Sequence, residues 1–219
     1  MENNNSKLNK PIYDISEFKY LQEINLKLIN KLTEIQLECD DVVRDMNEIK
    51  IKRKEGEWSN DKAQELVDNL GNKNEWMYGW TQKDSWKNFL LLFNSEMMYN
   101  IPEKLPTLYN IISEYKDKFN VVGLSLLGPH STIPYHYDVD THIENNRLVY
   151  HFNIYVPNDY NNQGKSIISI WDRNKIRTDI EQKTGNHLIF DNSYYHSVIH
   201  DNPDYRLVLF TDFKVSEMR

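Results

Sequence analysis

Beyond about residue 118 the chain becomes a succession of short β-forming runs with no helical segment between them, and this restricts the fold more than any other feature. Val121–Leu127, Leu148–Val156, Ile167–Trp171, His187–Phe190, Tyr195–Ile199 and Leu207–Phe213 are rich in β-branched and aromatic residues. Clusters of Gly, Pro, Asn and Asp separate them, the clearest being the loop Asn158-Asp159-Tyr160-Asn161-Asn162-Gln163-Gly164. Many short strands without crossover helices predict a sandwich, jelly roll or barrel.

The first half has a different texture. Residues 1–12 read as a polar leader. From Ser16 to about Glu55 the apolar residues Phe18, Leu21, Ile24, Leu28, Leu32 and Ile35 recur at steps of three and four, one face of a helix, with Ser16 as its expected N-cap. Ser59–Asn69 reads as a second helix, and Leu105–Tyr115 as a third with Pro106 in its first turn, where a missing N–H costs little. The expected organisation is a leader (1–12), a mainly helical region packed on the core (13–118) and a β core (119–219). Trp76, Tyr78, Trp80 and Trp86 lie close together. Core packing of helix on sheet explains them more simply than an aromatic wall around a substrate.

Composition narrows the function classes. A net charge of -7 gives no electrostatic reason to bind nucleic acid. The best apolar run is Phe89–Phe93, far short of the roughly 18 residues of a membrane span. With a polar start, Met1–Ser6, and a single cysteine, Cys39, a cytoplasmic protein with no disulfide is expected.

Three residues then carry the chemistry. His136-Tyr137-Asp138 is a His-x-carboxylate pair, and His196 supplies a second, distant imidazole. Alternate residues of a strand face the same way, so His136 and Asp138 would point together while Tyr137 points away. Two imidazoles and one carboxylate form the facial set that holds Fe(II) and leaves its other positions open to O2 and a co-substrate. Arg206, ten residues after His196, is the matching anchor for a dicarboxylate. Asp140 shares the strand parity of Asp138, but the two-residue spacing favours Asp138. His130, His142, His187 and His200 read as ordinary polar residues. The competing interpretation of the whole set is hydrogen-bonded polar groups in an inert or merely metal-binding β-sandwich.

The segments Leu124-Ser125-Leu126, Ile133-Pro134-Tyr135-His136, Asn146–Asn153, Val156-Pro157, Gly185–Val198 and Arg206–Phe213 resemble the aspartyl/asparaginyl β-hydroxylase family of Fe(II)/2-oxoglutarate oxygenases, which also holds bacterial proline hydroxylases. The resemblance covers about residues 119–213. It implies a double-stranded β-helix, a cupin-like jelly roll flanked by α-helices. It implies iron ligation by His136 and His196, with Asp138 where the animal enzymes carry glycine, so that the metal site is closer to the proline hydroxylases. It places Arg206 and Ser125 at the distal carboxylate of 2-oxoglutarate and His151 at its other end, and matches Trp171 to a tryptophan before the Gly185 block. The family's basic residue two before the histidine is replaced by Val149, with Arg147 nearby. The implied reaction is oxidative decarboxylation of 2-oxoglutarate to succinate and CO2, coupled to hydroxylation of an unactivated C–H bond. A compact chain without tandem repeats points to a small-molecule substrate, a free amino acid or a small derivative. A peptidyl Asp, Asn or Pro is the alternative.

Overall fold

The computed structural model of the chain describes residues 10–46, 75–79, 85–138, 143–157 and 164–219. It is mainly β. Among the described residues twelve strands run in chain order: β1 (Ile12–Tyr13), β2 (Met77–Tyr78), β3 (Trp86–Phe93), β4 (Glu96–Met97), β5 (Phe119–Leu127), β6 (Ser131–His136), β7 (Arg147–Tyr155), β8 (Ser166–Trp171), β9 (Arg177–Glu181), β10 (His187–Phe190), β11 (His196–His200) and β12 (Arg206–Lys214). The helices are α1 (Lys19–Asn30), α2 (Leu32–Arg44), α3 (Ile101–Lys104), α4 (Pro106–Ser113) and α5 (Val215–Met218).

The strands form two antiparallel sheets. The larger has the order β1-β10-β7-β12-β5-β3-β2, with β4 also on β3, and the smaller has the order β6-β11-β8-β9. From β5 onward the chain passes repeatedly between them: β5, β7, β10 and β12 lie in the large sheet and β6, β8, β9 and β11 in the small one. This winding is the double-stranded β-helix, a jelly roll flanked by α-helices. All six runs singled out in the sequence are strands. Four further strands come from before residue 119 and extend the large sheet, so the N-terminal half supplies sheet as well as helices.

Strand alternation divides the large sheet into two faces with different partners. On β7, Leu148, Tyr150, Phe152 and Ile154 pack into one apolar cluster with Leu21, Ile24 and Leu28 of α1, Ile35, Cys39 and Val42 of α2, and Leu108, Ile111 and Ile112 of α4. Each of the large aliphatic side chains buried there contributes about 1.5–3 kcal/mol. Val149, on the opposite face of β7, joins Leu127, Ile133, Ile168, Ile170, Phe190 and Val198 between the two sheets. The helices therefore cover the outside of the large sheet, and the inside of the roll is left for a site.

Several local expectations are refined. Phe18, Leu21, Ile24, Leu28 and Ile35 of the periodic face are buried and Leu32 is half-buried, but the helix breaks at Lys31 into α1 and α2. Ser16 is not the cap. Asp14 caps the single turn Ile15–Glu17, its carboxylate accepting from Ser16 N–H at 2.8 Å while Glu17 Oε1 accepts from Asp14 N–H at 3.0 Å. The third helix, read as Leu105–Tyr115, runs over Pro106–Ser113 with Pro106 in its first turn. The expected helix Ser59–Asn69, the ring of Trp80, and residues Asp140 and His142 lie outside the described residues. Trp76 is a core residue, packed on Phe89 at 5.4 Å with its Nε1 donating to Val42 O at 3.1 Å. Among the described residues no helix is long and apolar enough to cross a membrane.

Candidate metal centre

His136 ends β6 and His196 begins β11. These are neighbouring antiparallel strands, and the two histidines are direct cross-strand partners. Their ring centroids lie 4.2 Å apart. Each Nδ1 donates to the carbonyl two residues earlier, at 2.6 Å for Pro134 O and 2.9 Å for Tyr194 O. A proton on Nδ1 places the ligating lone pair of both rings on Nε2. Burial and the neighbouring His136 push His196 down to about 4, so its ring is neutral, as ligation requires.

Asp138 completes the cluster by a different route from the one the strand pleat suggested. β6 stops at His136, so alternation no longer governs the position of Asp138. Asn192 holds it instead: Asp138 N–H donates to Asn192 O at 2.9 Å, and Asn192 Nδ2 donates to Asp138 Oδ2 at 2.6 Å. Ligand atoms of His136, Asp138 and His196 all lie within 4.8 Å of one another, close enough to share one cation. Tyr137 between them is exposed.

The inside of the roll next to this cluster is polar at selected points. Phe190 meets His196 edge-on at 5.4 Å and His151 edge-on at 5.1 Å. His151 keeps some exposed surface, but its Nδ1 is enclosed and has no hydrogen-bond partner among the described residues. Burial, then Arg206 and His196, push it down to about 3. Arg206 opens β12 opposite Leu127 and is 2% exposed. Its Nε and Nη1 are enclosed without a partner among the described residues, and burial alone pushes its pKa down to about 9. A guanidinium does not give up its proton in a protein, so Arg206 remains a buried cation with no ion-pair partner among the described residues. Ser125, on β5, receives the Trp86 indole N–H at 3.0 Å, which leaves the serine O–H as a donor.

Other residues singled out in the sequence fall elsewhere. Arg147 is held in a two-point ion pair with Asp212, the cross-strand neighbour of Val149. His130 pairs with Asp201 at the surface, His187 lies over Tyr150, and fully buried His200 donates from Nε2 to Asp204 O at 2.7 Å. Trp171 meets Tyr135 edge-on at 4.8 Å, and Tyr135 stacks on Tyr195 at 4.5 Å. Tyr135, Tyr137 and Tyr195 flank His136, Asp138 and His196 in sequence and form an exposed aromatic surface outside the small sheet. Strand parity alone would have located that surface. Asn192 carried no spacing signal and was missed.

A family model, aspartyl/asparaginyl beta-hydroxylase, matches residues 30–215. An uncharacterized protein of Acanthamoeba polyphaga mimivirus is 34% identical over 207 residues, covering 94% of this chain and 71% of its own. Similar solved structures include a 2OG-Fe(II) oxygenase family oxidoreductase from Burkholderia pseudomallei (8% identity, 75% of this chain and 94% of that one, TM-score 0.47). Another is the Lactobacillus farciminis oxalate decarboxylase, at 8% identity and TM-score 0.38, where the match covers 61% of this chain but only 30% of that one. A cupin domain from Schizosaccharomyces pombe matches at 13% identity over 44% of this chain and 56% of that one, with a TM-score of 0.32. The matched region takes in both sheets apart from β1 and the whole His136, Asp138, His196 cluster, and the chain belongs to the aspartyl/asparaginyl β-hydroxylase family.

Proposed function

We propose that this protein is an Fe(II)/2-oxoglutarate-dependent dioxygenase that hydroxylates an unactivated C–H bond of a free amino acid or small amino-acid derivative. The observation that carries the proposal is Arg206, a cation enclosed in the same roll as a three-ligand cluster, with two guanidinium nitrogens, Nε and Nη1, that no described residue satisfies. A buried, unpaired guanidinium is costly unless an anion belongs beside it, and its planar fork matches a carboxylate. A protein that only stored metal would have no use for it.

The donor set fits the implied groups. His136 and His196 would hold Fe(II) through Nε2 and Asp138 through one carboxylate oxygen. Arg206 would take the distal carboxylate of 2-oxoglutarate, with the Ser125 hydroxyl donating to it, and His151 would meet the co-substrate's other end. With O2, the bound metal and co-substrate supply the oxidation that yields succinate, CO2 and a hydroxylated product. The chain itself orients the reactants and keeps bulk water from the interior through the apolar lining of Leu127, Val149, Ile168 and Phe190.

A second reading, hydroxylation of a peptidyl Asp, Asn or Pro, draws on the exposed Tyr135, Tyr137 and Tyr195 beside the ligands, a surface on which a polypeptide could lie. The test is succinate formation from 2-oxoglutarate by anaerobically Fe(II)-loaded protein exposed to air, against free amino acids and short Asp-, Asn- or Pro-containing peptides. Slow succinate release accelerated by one panel member identifies both activity and substrate class. Folded, iron-loaded protein that never forms succinate would leave the non-catalytic metal-binding module as the better account.

A further inference from the structure

We infer that Asn192 is a positioning residue that sets Asp138 as a one-oxygen metal ligand. The inference rests on the assignment of Asp138 as a ligand. Asp138 lies beyond the end of β6, where no ladder hydrogen bond orients it. The contacts that place it come from Asn192 on the approach to β11: the backbone carbonyl takes Asp138 N–H, and the side-chain amide donates to Oδ2.

The chemistry fixes which way the amide faces. Turned the other way, the amide oxygen would sit 2.6 Å from a carboxylate oxygen, two acceptors with no proton between them. The –NH2 end must therefore meet Asp138. The opposite end, Asn192 Oδ1, is enclosed and has no partner among the described residues, although Asn192 is only 8% exposed. An enclosed acceptor without a donor is unfavourable, and a residue selected for packing alone would not carry one. The arrangement is accounted for if the amide is retained for its donor end. Held at Oδ2, the carboxylate would be left with Oδ1 to offer a metal, and the Asn192 hydrogen bond would oppose binding through both oxygens, which would close a position the co-substrate needs. An acid at residue 192 could not do this, because it has no proton to donate at neutral pH.

The experiment is a double-mutant cycle read by Mn(II) affinity without 2-oxoglutarate or O2, so that no turnover is involved. Asn192→Ala removes the side-chain contact while the backbone bond to Asp138 survives, and far-UV circular dichroism checks the fold. Asn192→Ser, too short to reach Oδ2, replaces it if the alanine variant fails to fold. Asn192→Ala is expected to weaken Mn(II) binding about 10- to 100-fold, the usual effect of losing a group that orients a ligand. In an Asp138→Ala background the same substitution should change nothing. An unchanged affinity in the single variant, or an equal loss in both backgrounds, overturns the positioning role while leaving the metal site standing. If Asp138→Ala itself leaves Mn(II) affinity intact, Asp138 is not a ligand and both the assignment and the inference fall.

Discussion

The indole Nε1 of Trp86 donates a 3.0 Å hydrogen bond to Ser125 Oγ across the β3–β5 pair. Because the serine oxygen is already accepting, its own proton is directed elsewhere, and the proposed use is a carboxylate held by Arg206. Gly79 makes room for this: a Cβ there would come within 2.3 Å of the Trp86 ring. Trp86→Phe, which keeps the bulk and loses the donor, should therefore raise the half-saturating 2-oxoglutarate concentration roughly 3- to 10-fold, the effect of one neutral hydrogen bond. Steady-state succinate assays decide it. An unchanged co-substrate requirement would show that the serine proton is not used there.

Arg206 should make stability depend on dicarboxylates. A ligand that binds only the native state at about 100 times its Kd adds roughly 2.7 kcal/mol. Wild-type protein is thus expected to melt several degrees higher with 2-oxoglutarate and metal than without. Arg206→Lys, which loses the planar fork, should need about 10- to 100-fold more co-substrate for the same shift. Differential scanning fluorimetry across a 2-oxoglutarate series reads both, and equal shifts in the two proteins would remove Arg206 from the site.

Each of His136→Ala, Asp138→Ala and His196→Ala should abolish turnover. The structural cost differs. His136 and Asp138 keep exposed surface, so their loss leaves little cavity, whereas His196 is only 6% exposed and its removal empties space beside Phe190. Chemical denaturation of the metal-free proteins should rank His196→Ala as the least stable of the three.

The metal-free protein should lose stability as pH falls below about 6.5, the ordinary imidazole value. Burial holds His151, His187 and His200 below that value in the folded state, and His151 near 3. Unfolded chains then bind more protons than folded ones, so each such group costs up to about 1.4 kcal/mol per pH unit until its native pKa is reached. Urea midpoints measured in chelator at about pH 7.5 and pH 5 should fall with acid, and His151→Leu should flatten the slope. A slope identical to wild type would mean that His151 is not held neutral.

Cys39 on α2 is 1% exposed, and burial pushes its thiol well above the ordinary range. A thiol-reactive dye should therefore label native protein far more slowly than urea-unfolded protein. Comparable rates would show that α2 opens readily from the sheet.

The sequence showed the six strands that carry β-branched runs and the buried face of α1 and α2, because both are local periodicities. It hid the other strands for identifiable reasons. β3 is buried almost throughout Phe89–Leu92, so no alternation is visible. β6 contains Pro134, tolerated because it is an edge strand with one paired side. β9, Arg177–Glu181, is an exposed charged edge, and β1 and β2 are two-residue strands that exist only by pairing with β10 and β3.

For the site, the residue types of His136, Asp138, His196 and Arg206 were fixed by the chain itself, since the chemistry of two imidazoles, a carboxylate and a guanidinium travels with the side chains. Their meeting was decided by the tertiary structure alone. The register that sets His196 opposite His136, the amide that catches Asp138 after its strand has ended, and the enclosure of Arg206 without a counter-anion among the described residues are long-range relationships. Strand pairing and desolvation join residues far apart in sequence, and no local pattern records them.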